Sequence, residues 1–135
     1  MATSNQYIPG VCNIGRAEIR QRKLLGWIGL AVTVGAWIAC SVYEVSPAWR
    51  LALFVPASIA ATGFLQAAWH FCATFGVLGV SNFGSSVGKT DRIRHEDTVE
   101  QAEFRRQDRR KALQIIALSV LAGAVVAAAA YITAR

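Results

Sequence analysis

The fold class the sequence predicts is all-α: an integral membrane protein with three transmembrane helices, its N-terminus cytoplasmic and its C-terminus outside. Three observations predict it. Hydrophobic residues make up 54% of the 135, more than an ordinary soluble domain of this size carries. Three long runs, Leu24 to Tyr43, Leu51 to Val80 and Ala112 to Ala134, contain no Asp, Glu, Lys or Arg. Each meets the requirement of about 20 residues for a helix crossing about 30 Å of hydrocarbon. The bases are also unevenly spread, since all but Arg50 and Arg135 of the 14 Lys and Arg lie either before the first run or between the second and third. The positive-inside rule puts those two regions in the cytoplasm. The chain then divides into residues 1–23, a cytoplasmic tail and short basic helix, and 24–80, a transmembrane hairpin with a glycine-rich cytoplasmic end. Residues 81–111 form a cytoplasmic basic loop and helix, and 112–135 the third span.

The first run follows a polar and basic stretch of about 23 residues and exceeds an h-region of about 7–15 residues, so a cleaved signal peptide is not expected. The net charge of +6 is explained by topology and anionic head groups, and nucleic acid is not an expected partner.

In chain order, Met1 to Gly10 is polar and carries the turn signal Pro9-Gly10, which predicts an irregular tail. Asn13 can cap a helix that starts near Ile14 and runs unbroken into the first span. The short connection "EVSPAW" makes the first two spans an antiparallel hairpin, with Pro47 and Trp49 at its turn. The second run is too long for one straight crossing. Either it tilts and continues past the lipid, or it breaks at Gly76 and Gly79 and folds back. "DTVE" offers a capping box for a last helix of nearly forty residues, with Asp97 as cap and Glu100 returning to the backbone. Glu103 with Arg106 and Asp108 with Lys111 are spaced as surface ion pairs on its solvated first half. There Arg105, Arg106, Arg109, Arg110 and Lys111 are candidates for contact with lipid head groups or a partner.

Several patterns bear on function. "FGSSVGKT" resembles a phosphate-binding loop, but its first glycine is one residue too near the Gly-Lys pair, and a βαβ unit has no room around it. Small residues recur four apart at Ala31, Gly35 and Ala39 in the first span and at Ser119, Gly123 and Ala127 in the third. Such ridges let helices approach closely in lipid, where packing rather than hydrophobicity drives association. In the second span Ser58, Thr62, Gln66, His70 and Thr74 form a polar stripe, each step advancing about 40° beyond a full turn. It either lines a hydrated path, bonds a partner helix, presents His70 to a metal or tetrapyrrole cofactor, or satisfies its own helix carbonyls.

His70 and Cys72 point to nearly opposite faces of a continuous helix and cannot share a metal ion. The hairpin instead brings Cys72 toward Cys12 at the cytoplasmic face, with His95 and Asn13 as the nearest other ligands, while Cys40 lies at the far end. Two cysteines fall short of a four-ligand zinc or iron–sulfur site. The pair is a shared redox or metal site, a lipidation site at Cys12, or a small buried residue in a docking turn. "MATSN" is no myristoylation signal.

The segments "YIPGVCNIGRAEIRQR" and "LQAAWHFCATFGVLGVSNFG", about a quarter of the chain, resemble a pattern in small bacterial three-span membrane proteins with a GVCNIG-type N-terminal segment. The resemblance implies that the two cysteine segments act as a unit and implies no activity.

With little sequence outside the spans and no convergent acid, base and nucleophile, an autonomous enzyme is not expected. The sequence supports a small accessory or structural subunit of a larger assembly in the bacterial cytoplasmic membrane, partnered by lipids and by other membrane subunits or copies of itself. The alternative is a redox or metal-handling protein built on Cys12 and Cys72, its cofactor unspecified. A third reading is a small self-assembled transporter, weakened by the lack of an acidic residue within any uncharged run.

Overall fold

A computed structural model describes residues 8–78, 80–81, 91–92 and 98–134. Among the described residues the fold is helical apart from one two-residue antiparallel pair and an isolated Ile8–Cys12 bridge, and three helices are long and apolar enough to cross a membrane. Helix α1 spans Arg16–Val42, and a short α2 (Pro47–Arg50) runs through a 3₁₀ turn, Leu51–Leu53, into α3 (Phe54–Trp69). Then come α4 (Ala73–Leu78), the paired strands β1 (Val80–Ser81) and β2 (Asp91–Arg92), and α5 (Thr98–Ile132). At 1.5 Å per residue α1 is about 40 Å long and α5 about 52 Å, so both exceed the hydrocarbon core. Parts of the sequence reading fall outside the described residues: the phosphate-loop-like segment 83–90, His95, Arg94 and the Asp97 cap.

Helix α3 is the centre of the bundle, packing against α1 on one side and α5 on the other. Glycine makes both contacts close. A Cβ on Gly63 of α3 would stand 2.6 Å from the Gly26 nitrogen and 2.7 Å from the Arg22 carbonyl oxygen, so the two backbones touch. On the other side a Cβ on Gly123 of α5 would stand 2.9 Å from the Phe54 carbonyl oxygen and collide with Ser58 Oγ. Trp27 closes over Phe64 edge-to-face, with ring centroids 5.3 Å apart.

Two helices end in the same way. At the end of α1, Val45 N–H donates to the Cys40 carbonyl at 3.0 Å with Glu44 left-handed at φ 50°. At the end of α3, Phe71 N–H donates to the Gln66 carbonyl at 3.1 Å with His70 left-handed at φ 51°. Both are Schellman stops, a device that glycine usually supplies and that histidine tolerates better than most side chains. The hairpin is further fixed by Arg50, buried and donating from Nε to the Val45 carbonyl at 3.0 Å and from Nη2 to the Cys40 carbonyl at 3.1 Å. The guanidinium adds a second donor to the Cys40 carbonyl, which the Val45 N–H already reaches, and meets the negative end of the α1 dipole.

Of the two courses open to the second run, the chain takes the break, and it does so at His70, ahead of Gly76. The polar stripe breaks with it. Thr62 returns its hydroxyl to the Ser58 carbonyl at 2.7 Å, Ser58 faces Gly123, and Gln66 is buried. His70 and Thr74 are exposed, and Thr74 belongs to α4. The five residues do not form one continuous path.

Candidate functional site

The largest fully buried side chains are Phe71, Ile14, Ile115, Glu18, Asn13, Asp108 and Cys72, and all of them sit at the base-rich end of the bundle. The middle of the spans is packed by glycine, alanine and hydroxyl residues. The site begins with the turn Ile8-Pro9-Gly10-Val11, where Val11 N–H and Cys12 N–H donate to the Ile8 carbonyl at 3.0 and 2.9 Å and Ile8 N–H donates to the Cys12 carbonyl at 2.9 Å. Proline precedes a glycine at φ 67°, the order a type II turn requires. Residues 8–10, expected to be irregular, are thus an ordered turn. The Gly10 N–H then donates to Asp108 Oδ1 on α5 at 2.7 Å.

Asn13 does not cap α1, whose N-cap position is Gly15 and which has no side-chain cap. Its amide reaches across the hairpin instead. Oδ1 accepts from the Cys72 N–H at 2.7 Å, Nδ2 donates to the Cys72 carbonyl at 3.1 Å, and the Asn13 backbone N–H donates to the His70 carbonyl at 3.2 Å. With one of its N–H donors and its oxygen the amide pairs with the N–H and C=O of a single residue, as a neighbouring antiparallel strand would. The same Cys72 carbonyl accepts the Gly76 N–H at 2.9 Å and so opens α4. Ile14, Cys72 and Phe75 pack beneath this joint, and Phe71, Ala73, Ala112 and Ile115 pack beside it.

The thiol of Cys72 receives Arg22 Nη2 at 3.3 Å, and the same Nη2 lies 3.5 Å from Glu18 Oε2 one turn earlier. Glu18 is 1% exposed, so its charge is held in the interior by an arginine, as a buried carboxylate requires. Cys12, also buried, directs its thiol to the Ile14 carbonyl at 3.6 Å. Both thiols are free. The fold brings the two cysteine segments together, with Asn13 as the direct link between them. Among the described residues no three His, Cys, Asp or Glu gather to hold a metal ion. His70 contributes its backbone, as a helix stop and an acceptor for Asn13, while its side chain is exposed.

The other expected residues divide. Ser119, Gly123 and Ala127 are buried, and Gly123 lies against Phe54 and Ser58 of α3. Ala31, Gly35 and Ala39 are exposed; among the described residues a Cβ on Gly35 would meet no atom within 4 Å outside its own stretch of helix. The packed face of α1 is Gly26, Gly29 and Thr33. Arg105, Arg106, Arg109 and Arg110 are exposed, and Lys111 sets Nζ 4.0 Å above the Trp69 ring. Asp108 is fully buried instead of lying on a solvated face with Lys111.

Glu18, Arg22, Asp108 and Arg50 were the residues whose roles the sequence reading missed. A signal for three of them exists. The buried series Ser119, Ile115 and Ala112 on α5 steps back to Asp108, and Gly29 and Gly26 on α1 step back through Arg22 to Glu18, all at intervals of three or four. Comparison of the chain with protein-family models, with characterised proteins and with solved structures gave no match.

Proposed function

We propose that this chain is a small accessory or structural subunit packing into a larger assembly in the bacterial cytoplasmic membrane, N-terminus inside and C-terminus outside. The observation that carries the reading is the open ridge on α1. Exposed Leu, Val and Ile are what lipid requires of any span and argue nothing. A strip of Ala31, Gly35 and Ala39 is different, because small residues on a membrane helix let another helix come close. The chain already uses this device twice internally, at Gly63 and Gly123, and leaves a third strip exposed among the described residues. The orientation is supported by the bases, all but two of the 14 Lys and Arg lying in the same two segments.

Affinity purification from native membranes in a mild detergent, with mass spectrometry of the eluate, tests it. Larger subunits in fixed ratio are expected. Solitary monomers would overturn the reading.

A second reading, redox or metal handling through Cys12 and Cys72, is favoured by the burial of both thiols at one polar site and by the Arg22 contact to Cys72 Sγ. The same eluate would then carry metal or a visible absorption band. A Cys12→Ser, Cys72→Ser double variant with unchanged cofactor content would exclude it.

A further inference from the structure

The first half of α5 has two charged faces with opposite fates. One carries Asp108 into the bundle, and the other carries four arginines over an open groove of about 640 Å³ lined by Ala102, Arg105, Arg106, Arg109, Arg110 and Leu113. At about 100° per residue, Arg105 and Arg109 fall on one edge of this arc and Arg106 and Arg110 on the other, with Ala102 and Leu113 between them. Each pair is spaced i, i+4, so its side chains are neighbours on the helix surface. None of the four has an ion-pair partner among the described residues. From this geometry we infer that the groove is a binding site for the phosphate of an anionic phospholipid head group.

Two observations select a lipid over a soluble phosphate. The uncharged run begins at Ala112, immediately after the arginines. Along the same arc of α5, Leu113, Ile116 and Val120 follow one another at 64%, 45% and 47% exposure, an apolar track leading from the arginines down the span. A head group held by guanidinium forks places its acyl chains along that track. Lys111 above the Trp69 ring marks the same level of the bundle, a pairing suited to the membrane interface. Arginine suits the role because its planar fork matches phosphate oxygens, whereas a diffuse basic surface needs only charge. The inference is independent of the subunit reading, since a lone chain would bind the lipid equally well.

The test uses the full chain, purified in a non-ionic detergent and titrated with phosphatidylglycerol or phosphatidylcholine, with bound lipid counted by mass spectrometry. Saturable binding of phosphatidylglycerol is expected, at least about tenfold tighter than phosphatidylcholine. An Arg105→Gln, Arg109→Gln variant should lose about 30-fold, the effect of two bases near a lipid surface. An Arg105→Lys, Arg109→Lys variant should keep part of the affinity, and Arg16→Gln, Arg20→Gln, which removes two exposed bases elsewhere, should change it less than about twofold. Unchanged circular dichroism and elution establish folding for each variant. Equal losses from both glutamine pairs would overturn the site in favour of diffuse surface charge. Displacement of the lipid by pyrophosphate at equal affinity would overturn the lipid in favour of a soluble phosphate, and no preference over phosphatidylcholine would overturn the proposal altogether.

Discussion

Two ridges of small residues, each stepping by four, meet opposite fates in this molecule. Ser119, Gly123 and Ala127 on α5 lie buried, with Gly123 against α3, while Ala31, Gly35 and Ala39 on α1 are exposed among the described residues. The difference lies in the neighbour. Helix α3 presents Phe54 and Ser58 to α5 at the height of Gly123, and presents Ala60 and Gly63 to α1 at the height of Gly29 and Gly26. Its contact with α1 therefore uses the phase Gly26, Gly29, Thr33, and the second small-residue phase of the same helix is left over. A small-residue ridge permits close approach, and the shape opposite decides whether the approach occurs.

The strongest way to break the comparison is to fill the closest approach. In Gly63→Leu the first added carbon would meet the Gly26 nitrogen and Arg22 carbonyl, both backbone atoms that cannot turn aside. We expect a loss of about 3 kcal/mol or more, read as an earlier unfolding midpoint in a mixed-detergent titration. A variant as stable as the parent would show that α1 and α3 do not meet at this glycine.

A second, smaller effect separates the ridges from the joint at the base-rich end. Asn13→Ala removes both side-chain hydrogen bonds to Cys72 and leaves its buried N–H without an acceptor, at a cost of about 2–3 kcal/mol. The loss should be local, so that maleimide labels Cys72 faster while the α1–α3 contact persists. If Cys72 labels no faster than in the parent, the N-terminal turn is not what covers it.

On α5 the effect is smaller again. Gly123→Ala pushes against the Phe54 carbonyl and Ser58 Oγ, and the serine can give way, so about 1–2 kcal/mol is expected. The Ser58 hydroxyl has no hydrogen-bond partner among the described residues, so Ser58→Ala should be tolerated and should recover part of the loss in the double variant. Strict additivity would place the two residues apart.

These contrasts also explain what could be read from the sequence. The three spans, the hairpin and the long last helix follow from uncharged runs and an "EVSPAW" connection, which are local properties. Helix α5 buries Ser119, Gly123 and Ala127 and exposes Ala117, Ala124 and Ala128, so small residues alone do not say which face packs. On α1 two phases of small residues run side by side, and no local property ranks them. Asn13 next to a helix start is locally a cap, yet it is drawn away by a partner 59 positions along the chain. The break at His70 was hidden for a similar reason, since a Schellman stop is a backbone event. Here it is held by Asn13 on the His70 carbonyl, while nearby glycines carried the more familiar signal. Asp108 reads as a surface partner of Lys111 because acids at a span's edge normally are solvated, and Glu18 carries no local sign of burial. Their burial depends on Arg22 and on the Gly10 N–H, contacts that only the assembled fold supplies.

The smallest effect on stability should come from the leftover ridge, and for that reason it discriminates best. In Gly35→Leu the Cβ has no atom of another described element within 4 Å, so unfolding should shift by no more than about 0.5 kcal/mol. Lipid accepts leucine at least as readily as glycine, and the lone chain has no reason to exclude it. A helix seated on Ala31, Gly35 and Ala39 would be pushed outward by the new side chain, because such contacts rest on van der Waals packing that fades over a fraction of an ångström. The subunit reading therefore predicts a folded variant that no longer recovers its partners from native membranes. If Gly35→Leu retains the parent's partners in the parent's ratio, they bind elsewhere on the molecule. The ridge is then ordinary lipid-facing surface that happens to be built of small residues.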